Sequence, residues 1–437
     1  MPPTHHLIHD WNRAGGSEWE LRGPVMLDDE TLRDGLQSPS VLDPPIEKKI
    51  HLLHLMEALG IDSVNLGLPG AGPRAKQDVL RLAEELAAAK LRIRPNCAAR
   101  TLESDIRPIA EIVQATGVAI EAATFLGSSP IRQYAEDWDL DFLLRTTERA
   151  VKCAVSLGLS PMYVTEDTTR ARPEVIKKLY STAIECGARA IVVCDTVGHS
   201  TPQGAQALIR FVCEEIVNPS GEKVRVDWHG HQDRGLGVAN SLAAFAAGAD
   251  QVHGAGLGIG ERVGNTPLDQ LLVNLKLMGA IDRDLSKLQE YAQAISEAVG
   301  VPIPPNYPVV GADAFRTATG VHAAAVIKAF RKNDVESANR VYSGVPSHWF
   351  GLEQKIEIGP MSGKSNVIYW LEKRGIHPTE ARVEKIFARA KLADRVLTDA
   401  EILKLCGLSA ATGTPGGERR KGQTRRRGDS PHKPRPE

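Results

Sequence analysis

"VMLDDETLRDGLQSPS" (Val25–Ser40) opens as a short apolar run and then carries three acids, an arginine, a fourth acid and a glutamine. The run reads as a first β-strand. The residues directly after it decide between two α/β architectures. An open doubly wound sheet needs a glycine-rich phosphate turn, G-x-G-x-x-G, at that point, and "LRDGLQS" is not one. The same unit then repeats. Candidate strands "PVMLDDE", "SVNLGLP", "RIRPNCA", "VAIEAATF", "SPMYVTED", "AIVVCDT", "VRVDWHGH" and "DQVHGAGLG" alternate with helical patterns near 45–60, 74–90, 101–116, 139–157, 173–187, 202–217, 235–248 and 266–278. Eight is the strand number at which a parallel sheet closes. The expected fold is therefore a (β/α)8 TIM barrel over residues 24–298, behind an N-terminal arm of residues 1–23.

Past residue 280 the rhythm stops, and "VGVPIPPNYPVVG" (299–311), with four prolines, reads as a linker. A small, mainly helical C-terminal region is expected over 312–407. Residues 408–437, rich in Gly, Pro and Arg, read as a disordered basic tail and a solvated terminus rather than an RNA contact. Hydrophobic residues make up 42% and charged ones 24%, and a formal charge of −1 gives no whole-chain attraction to nucleic acid. Six cysteines without a C-x-x-C pair fit a reducing compartment, so a cytoplasmic protein is expected. No apolar run is long enough to cross a membrane, and the leader lacks the regions of a signal peptide. His5, His6 and His9 in that polar leader read as part of a loose arm rather than a metal site.

The barrel has a chemical consequence, because active sites of such folds lie at the carboxyl ends of the strands. Arg33, Asp34, Asn65, Asn96, Glu166, Asp167, Asp195, Thr196, His229 and His231 all fall there. In "DWHGHQD", His229 and His231 stand two apart on a strand and so share a face. An isolated H-x-H is more often a pair of surface histidines. Barrel closure, however, brings strand seven near strand one, so Asp34 completes a set of two imidazoles and one carboxylate. Such a set leaves coordination positions open for a chelating substrate and does not separate Mg, Mn and Zn. Arg33 beside it is a fixed cation for developing oxyanion charge, or a plain surface ion pair. Glu166 and Thr196 fit either a site or a turn, and Thr201-Pro202 reads as a helix cap followed by Pro at N1. "GLGIGERVGN" (256–265) is a Gly-rich loop after strand eight, where barrels bind phosphate, and implies a phosphate-bearing cofactor. His322 alone reads as an ordinary histidine.

Together, "LRDGLQ" with Lys48 eleven residues after Gln37, "TEDTTR", "CDTVGHSTP", "HGHQDRGLGVANSLAAFAAGA" and "GIGERVGN" span Leu32 to Asn265. Weaker likeness runs on through "TATGVH", "VYSGVP" and "MSGKSN" to about residue 370. The set resembles the DRE-TIM metallolyase superfamily, in particular its Claisen-condensing branch of 2-isopropylmalate, homocitrate and citramalate synthases. The resemblance implies transfer of an acetyl group from acetyl-CoA to the carbonyl carbon of a 2-oxo acid, then hydrolysis of the CoA thioester. It implies a divalent metal (Mg, Mn or Zn) on Asp34, His229 and His231 with Asn265 nearby, Arg33 as oxyanion stabiliser and Gln37 as a positioning residue. Glu166 and Thr196 match acceptor-pocket positions, and Gly258, Gly260, Glu261, Arg262 and Asn265 match the acetyl-CoA loop. His322 and Tyr342 match a pair that acts in proton transfer in the partner subunit's barrel, so a homodimer is expected.

Departures from the pattern are Asn65 for a carboxylate on strand two, Ala123 for a substrate-facing histidine on strand four, Gln232 for Asn or Asp, and Arg234. The expected acceptor is 3-methyl-2-oxobutanoate, as in 2-isopropylmalate synthase, with 2-oxoglutarate second; the distal carboxylate of the latter needs a cation, for which Arg132 and Arg170 are candidates. The short region after residue 407 argues against feedback through a C-terminal regulatory domain. Rival readings are a lyase of the same barrel that cleaves a hydroxy-acyl thioester, and a barrel that only binds a partner.

Overall fold

The computed structural model describes residues 8–13 and 24–408; most of the expected arm and the basic tail from residue 409 lie outside them. Eight parallel strands form a closed barrel in sequence order: β1 Met26–Asp29, β2 Ser63–Asn65, β3 Arg94–Arg100, β4 Glu121–Gly127, β5 Ser160–Glu166, β6 Ala190–Asp195, β7 Arg225–Gly230 and β8 Gln251–Gly254. β1 closes the sheet by pairing with β2 on one side and β8 on the other, with Asp28 opposite His253 and Asp29 opposite Gly254. Each expected strand is present. β4 begins and ends a few residues later than its apolar run suggested.

The helices between strands form because their apolar residues recur on one stripe. In Leu140–Ser156 the buried side chains are Leu143, Thr146, Thr147, Ala150, Val151 and Ala154. Helix starts carry the expected chemistry: Thr201 Oγ1 accepts from the Gly204 N–H at 3.2 Å, and Pro202 sits at N1. Two α-helices of the barrel region were not foreseen, Pro130–Glu136 and Leu288–Val299. Pro130–Glu136 follows β4, capped by Ser129, whose Oγ accepts from Arg132 N.

The barrel interior departs from the usual filling of branched apolar side chains. Near the amino ends of the strands it holds an ionic layer. Arg225 bridges Glu121 and Asp227 at 2.9 Å each, Asn96 Nδ2 donates to Asp28 Oδ1 at 2.8 Å, and the Ser63 hydroxyl donates to the same oxygen. His253 lies among Asp28, Glu30 and Asp227, with ring nitrogens 3.4–3.7 Å from their oxygens. Burial opposes charge on His253, but these three acids outweigh it and raise its pKa to about 10. The bottom of the barrel is thus plugged by paired charges, and the site is built above them.

Among the described residues, 8–13, 24–315 and 343–354 form one compact unit, and 316–342 with 355–408 form a second. The segment 343–354, expected with the C-terminal region, groups with the barrel through the buried Phe350. The second unit pairs Arg316–Thr317 with Lys355–Ile356 and carries the helices Gly320–Arg331, Val335–Arg340, Lys364–Lys373, Glu380–Lys391 and Asp399–Leu405. Its own core includes Val367, Trp370, Leu371, Ile386 and Ile402.

Candidate active site

A cavity of about 260 Å³ opens at the carboxyl ends of the strands. Arg33, Asp34, Gln37, Asn65, Glu166, Thr196, His229, His231, Glu261 and Arg262 line it. Strand alternation explains the selection. On β7, His229 points inward and its neighbour Trp228 points outward into the helix layer, where it is fully buried. His231 lies one step beyond the strand end on the same face.

Asp34, His229 and His231 converge as one possible cation-binding group. The two Nε2 atoms lie 3.3 Å apart, and each is 3.8 Å from Asp34 Oδ2. Two imidazole lone pairs at that separation repel unless a proton or a cation lies between them. Burial depresses the pKa of His229 to about 3 and also lowers that of His231, so both rings are neutral at physiological pH, the state a metal requires. Burial alone would raise the pKa of Asp34, but the Arg33 guanidinium beside it holds it below the ordinary carboxylate range. Asn265 Nδ2 donates to Asp34 Oδ1 at 2.8 Å, leaving Asn265 Oδ1 buried without a hydrogen-bond partner. Two neutral nitrogens, a carboxylate and an orphaned amide oxygen fit a divalent cation of the Mg, Mn or Zn type.

Arg33 is clamped rather than loose. Its Nε donates to Glu30 Oε2 at 2.7 Å and its Nη1 to Asp34 Oδ2 at 2.8 Å. Glu30 was missed in the sequence, where it looked like one more acid of a charged stretch. On β1 the alternation turns Asp28 and Glu30 inward and Asp29 outward, where Tyr291 Oη donates to it at 2.5 Å. Glu30 also faces Asn65 Nδ2 at 3.5 Å, so a carboxylate from β1 stands against the position where β2 lacks one. Burial opposes its ionisation, yet the Arg33 guanidinium and the protonated His253 hold its pKa far down. His253, also missed, lines the same cavity. The signal for both was period two along β1 and β8, which only a known inward face makes readable.

The Gly-rich loop after β8 is folded on itself. At Gly260 (φ 148°) a Cβ would collide with Asn265 Nδ2 and stand 3.0 Å from Asp34 Oδ1, and at Gly264 (φ 93°) it would strike the Gly258 carbonyl. Gly258 itself packs against Pro267 and Asn265. Arg262 spans Asp233 with two bonds (2.9 and 3.0 Å) and donates to the Thr196 carbonyl at 2.6 Å, tying the loops after β6, β7 and β8 together. Thr196 Oγ1 accepts from Asp167 N at 2.8 Å.

Two candidate cations for a distal carboxylate pair with neighbouring acids. Arg170 is not among the residues that line the cavity: its Nε and Nη2 donate to the Asp167 carboxylate three residues earlier, at 2.6–3.0 Å. Arg132 is likewise absent from the lining; it pairs with Glu136 at 3.1 Å and stacks over Trp138. His322 and Tyr342 lie in the second unit, exposed, with their rings stacked 4.1 Å apart.

Residues 25–295 match the HMGL-like family model, more than half of the chain. This chain belongs to the HMGL-like family. The HMGL-like protein is 33% identical over 387 residues to homocitrate synthase AksA of Methanopyrus kandleri, covering 88% of this chain and 91% of that one. It is 31% identical to a 2-isopropylmalate synthase of Pyrococcus abyssi, covering 86% and 76%. The solved structure of the HMG-CoA lyase of Bacillus subtilis aligns with a TM-score of 0.55 at 19% identity, over 65% of this chain and 97% of that one, a likeness of fold. Among the described residues of this HMGL-like protein, no helix is long and apolar enough to cross a membrane.

Proposed function

We propose that the protein condenses acetyl-CoA with a 2-oxo acid, giving a 2-alkylmalate-type product and free CoA. The convergence of Asp34, His229 and His231 beside the clamped Arg33 carries this reading; the kinship with homocitrate and 2-isopropylmalate synthases supports it. 3-Methyl-2-oxobutanoate is the first acceptor to test. Against 2-oxoglutarate stands the lining of the cavity, which includes neither Arg170, paired with Asp167, nor Arg132, paired with Glu136.

In this reaction a C–C bond forms between the acetyl methyl carbon and the keto carbon. The methyl loses a proton, the keto oxygen gains one, and water then breaks the C–S bond. A divalent cation on Asp34, His229 and His231 with Asn265 beside them would supply Lewis acidity at the keto oxygen. Arg33, which lines the same cavity, would meet the growing oxyanion charge, and the Glu30 and Asp34 carboxylates hold it in place without reorganisation. Glu166, whose pKa burial raises, holds or moves a proton at the rim, and Thr196 and Gln37 orient the acceptor. The loop with Gly258, Gly260, Glu261, Arg262 and Asn265 receives acetyl-CoA. His322 and Tyr342 serve proton transfer from a partner subunit, in a cytoplasmic homodimer.

The test is release of CoA thiol from acetyl-CoA across a panel of 2-oxo acids with Mg, Mn or Zn supplied. At least one acceptor should release thiol, and Asp34→Ala should abolish both release and bound metal. No release with any acceptor would rule the reading out.

A further inference from the structure

The wall of the cavity away from Asp34, His229 and His231 is chemically different from the rest. Ala98, Ala123 and Met162 are register partners across β3, β4 and β5, and one tier nearer the carboxyl ends Phe125, Val164 and Val192 continue the surface across β4, β5 and β6. Ala98 and Ala123 are each 5% exposed and face the opening. Such interior tiers are normally filled by bulky branched residues. Here two neighbouring methyl groups leave the space above them to the cavity. Beneath lies the tier in which Asn96 pairs in register with Glu121, sealed by the Glu121–Arg225 ion pair, so the space is deep but closed.

Water fits this recess poorly, since a buried water needs two to four polar partners and the wall presents methyl, thioether and phenyl groups. Charge fits it poorly as well. The cations lining the cavity, Arg33, His253 and Arg262, belong to the β1 and β8 sides; Arg132, whose charge acts on Glu166, pairs with Glu136 outside the lining, and the ionisable group at the rim of the apolar wall is the acid Glu166. A distal carboxylate would stand unpaired beside another acid.

We propose that this wall is the subsite for the acceptor's side chain, that it takes an uncharged apolar chain longer than isopropyl, and that Ala98 and Ala123 set its length. The inference rests on the condensation reading. Filling the recess from the protein side should exclude long acceptors and spare short ones, because a methylene in an apolar pocket discriminates by about 10- to 200-fold.

The experiment measures kcat/KM for CoA release by the full chain with Mn²⁺ and 2-oxobutanoate, 3-methyl-2-oxobutanoate, 4-methyl-2-oxopentanoate, 2-oxohexanoate or 2-oxoglutarate. The native protein should favour the two longest apolar acceptors and use 2-oxoglutarate about 100-fold less well. Ala123→Leu should lower the longest acceptors by about 10- to 200-fold, mainly in KM, and leave 2-oxobutanoate within about threefold. Ala98→Val, compatible with a strand, gives a second variant should the first misfold. Preference for 2-oxoglutarate, 2-oxobutanoate or 3-methyl-2-oxobutanoate in the native protein, or an equal fall for every acceptor in both variants, overturns the proposal. If no acceptor releases CoA, condensation fails, and calorimetric binding of the same acids with Mn²⁺ still decides the subsite. Tighter binding of 2-oxohexanoate than of 2-oxobutanoate, lost in Ala123→Leu, supports it; no such difference overturns it.

Discussion

Asp28, Asp29 and Glu30 are consecutive, yet their carboxylates end in different surroundings because strand alternation sends them to opposite faces. Glu30 grips Arg33 Nε and faces both His253 and Asn65. Replacing it with the neutral isostere in Glu30→Gln loosens the cation at the reaction centre, so kcat should fall by about 10- to 100-fold. Metal affinity measured by calorimetry should change less, and unchanged turnover would remove Glu30 from the machinery. Asp29 faces the helix layer, where burial raises its pKa from 3.8 to about 6 against the hydrogen bonds from Thr31 and Tyr291. The folded protein then holds that proton more tightly than the unfolded chain. This contribution to stability is full below pH 3.8 and is lost as pH rises through 6. Relative to wild type, Asp29→Asn should therefore gain about 3 kcal/mol between about pH 3.5 and 7 in urea unfolding. A pH-independent difference would contradict the shift.

Elements matter through their ends. The loop after β8 has little room of its own: Gly260 and Gly264 adopt positive φ and leave no space for a Cβ against Asn265, Asp34 and the Gly258 carbonyl. A methyl at Gly260 pushes on Asn265 and Asp34 together. Gly260→Ala should weaken Mn²⁺ binding at least about tenfold while the barrel still folds, as seen by titration and far-UV circular dichroism. Unchanged affinity would mean that the loop yields. The glycines were legible as a loop, but not as close neighbours of a carboxylate more than 220 positions earlier. Strand positions were legible because β-branched runs recur between amphipathic helices. Pro130–Glu136 was not, since seven residues give too short a pattern to separate from a turn.

For the whole molecule, the proposed assembly makes a distinct claim. His322 and Tyr342 stack on each other in the second unit, and the proposed homodimer assigns them to a partner's barrel. His322→Ala should reduce condensation by about 100-fold or more while leaving metal content intact. Mixing His322→Ala chains with Asp34→Ala chains should restore part of the activity, since each supplies what the other lacks. Full activity of His322→Ala would instead favour a lyase.

The order of β-branched runs and helical stripes, and the H-x-H pair two apart on a strand, were determined by the sequence itself, because both are local periodicities. Tertiary structure alone decided which acids and cations are available. Arg170 and Arg132 look like free cations in a string of letters, yet each is taken by a neighbouring acid. Glu30, His253 and the recess over Ala98 and Ala123 exist only because closure of eight strands turns every second residue toward one axis. Local patterns record which face a residue prefers; only the folded barrel records what it meets there.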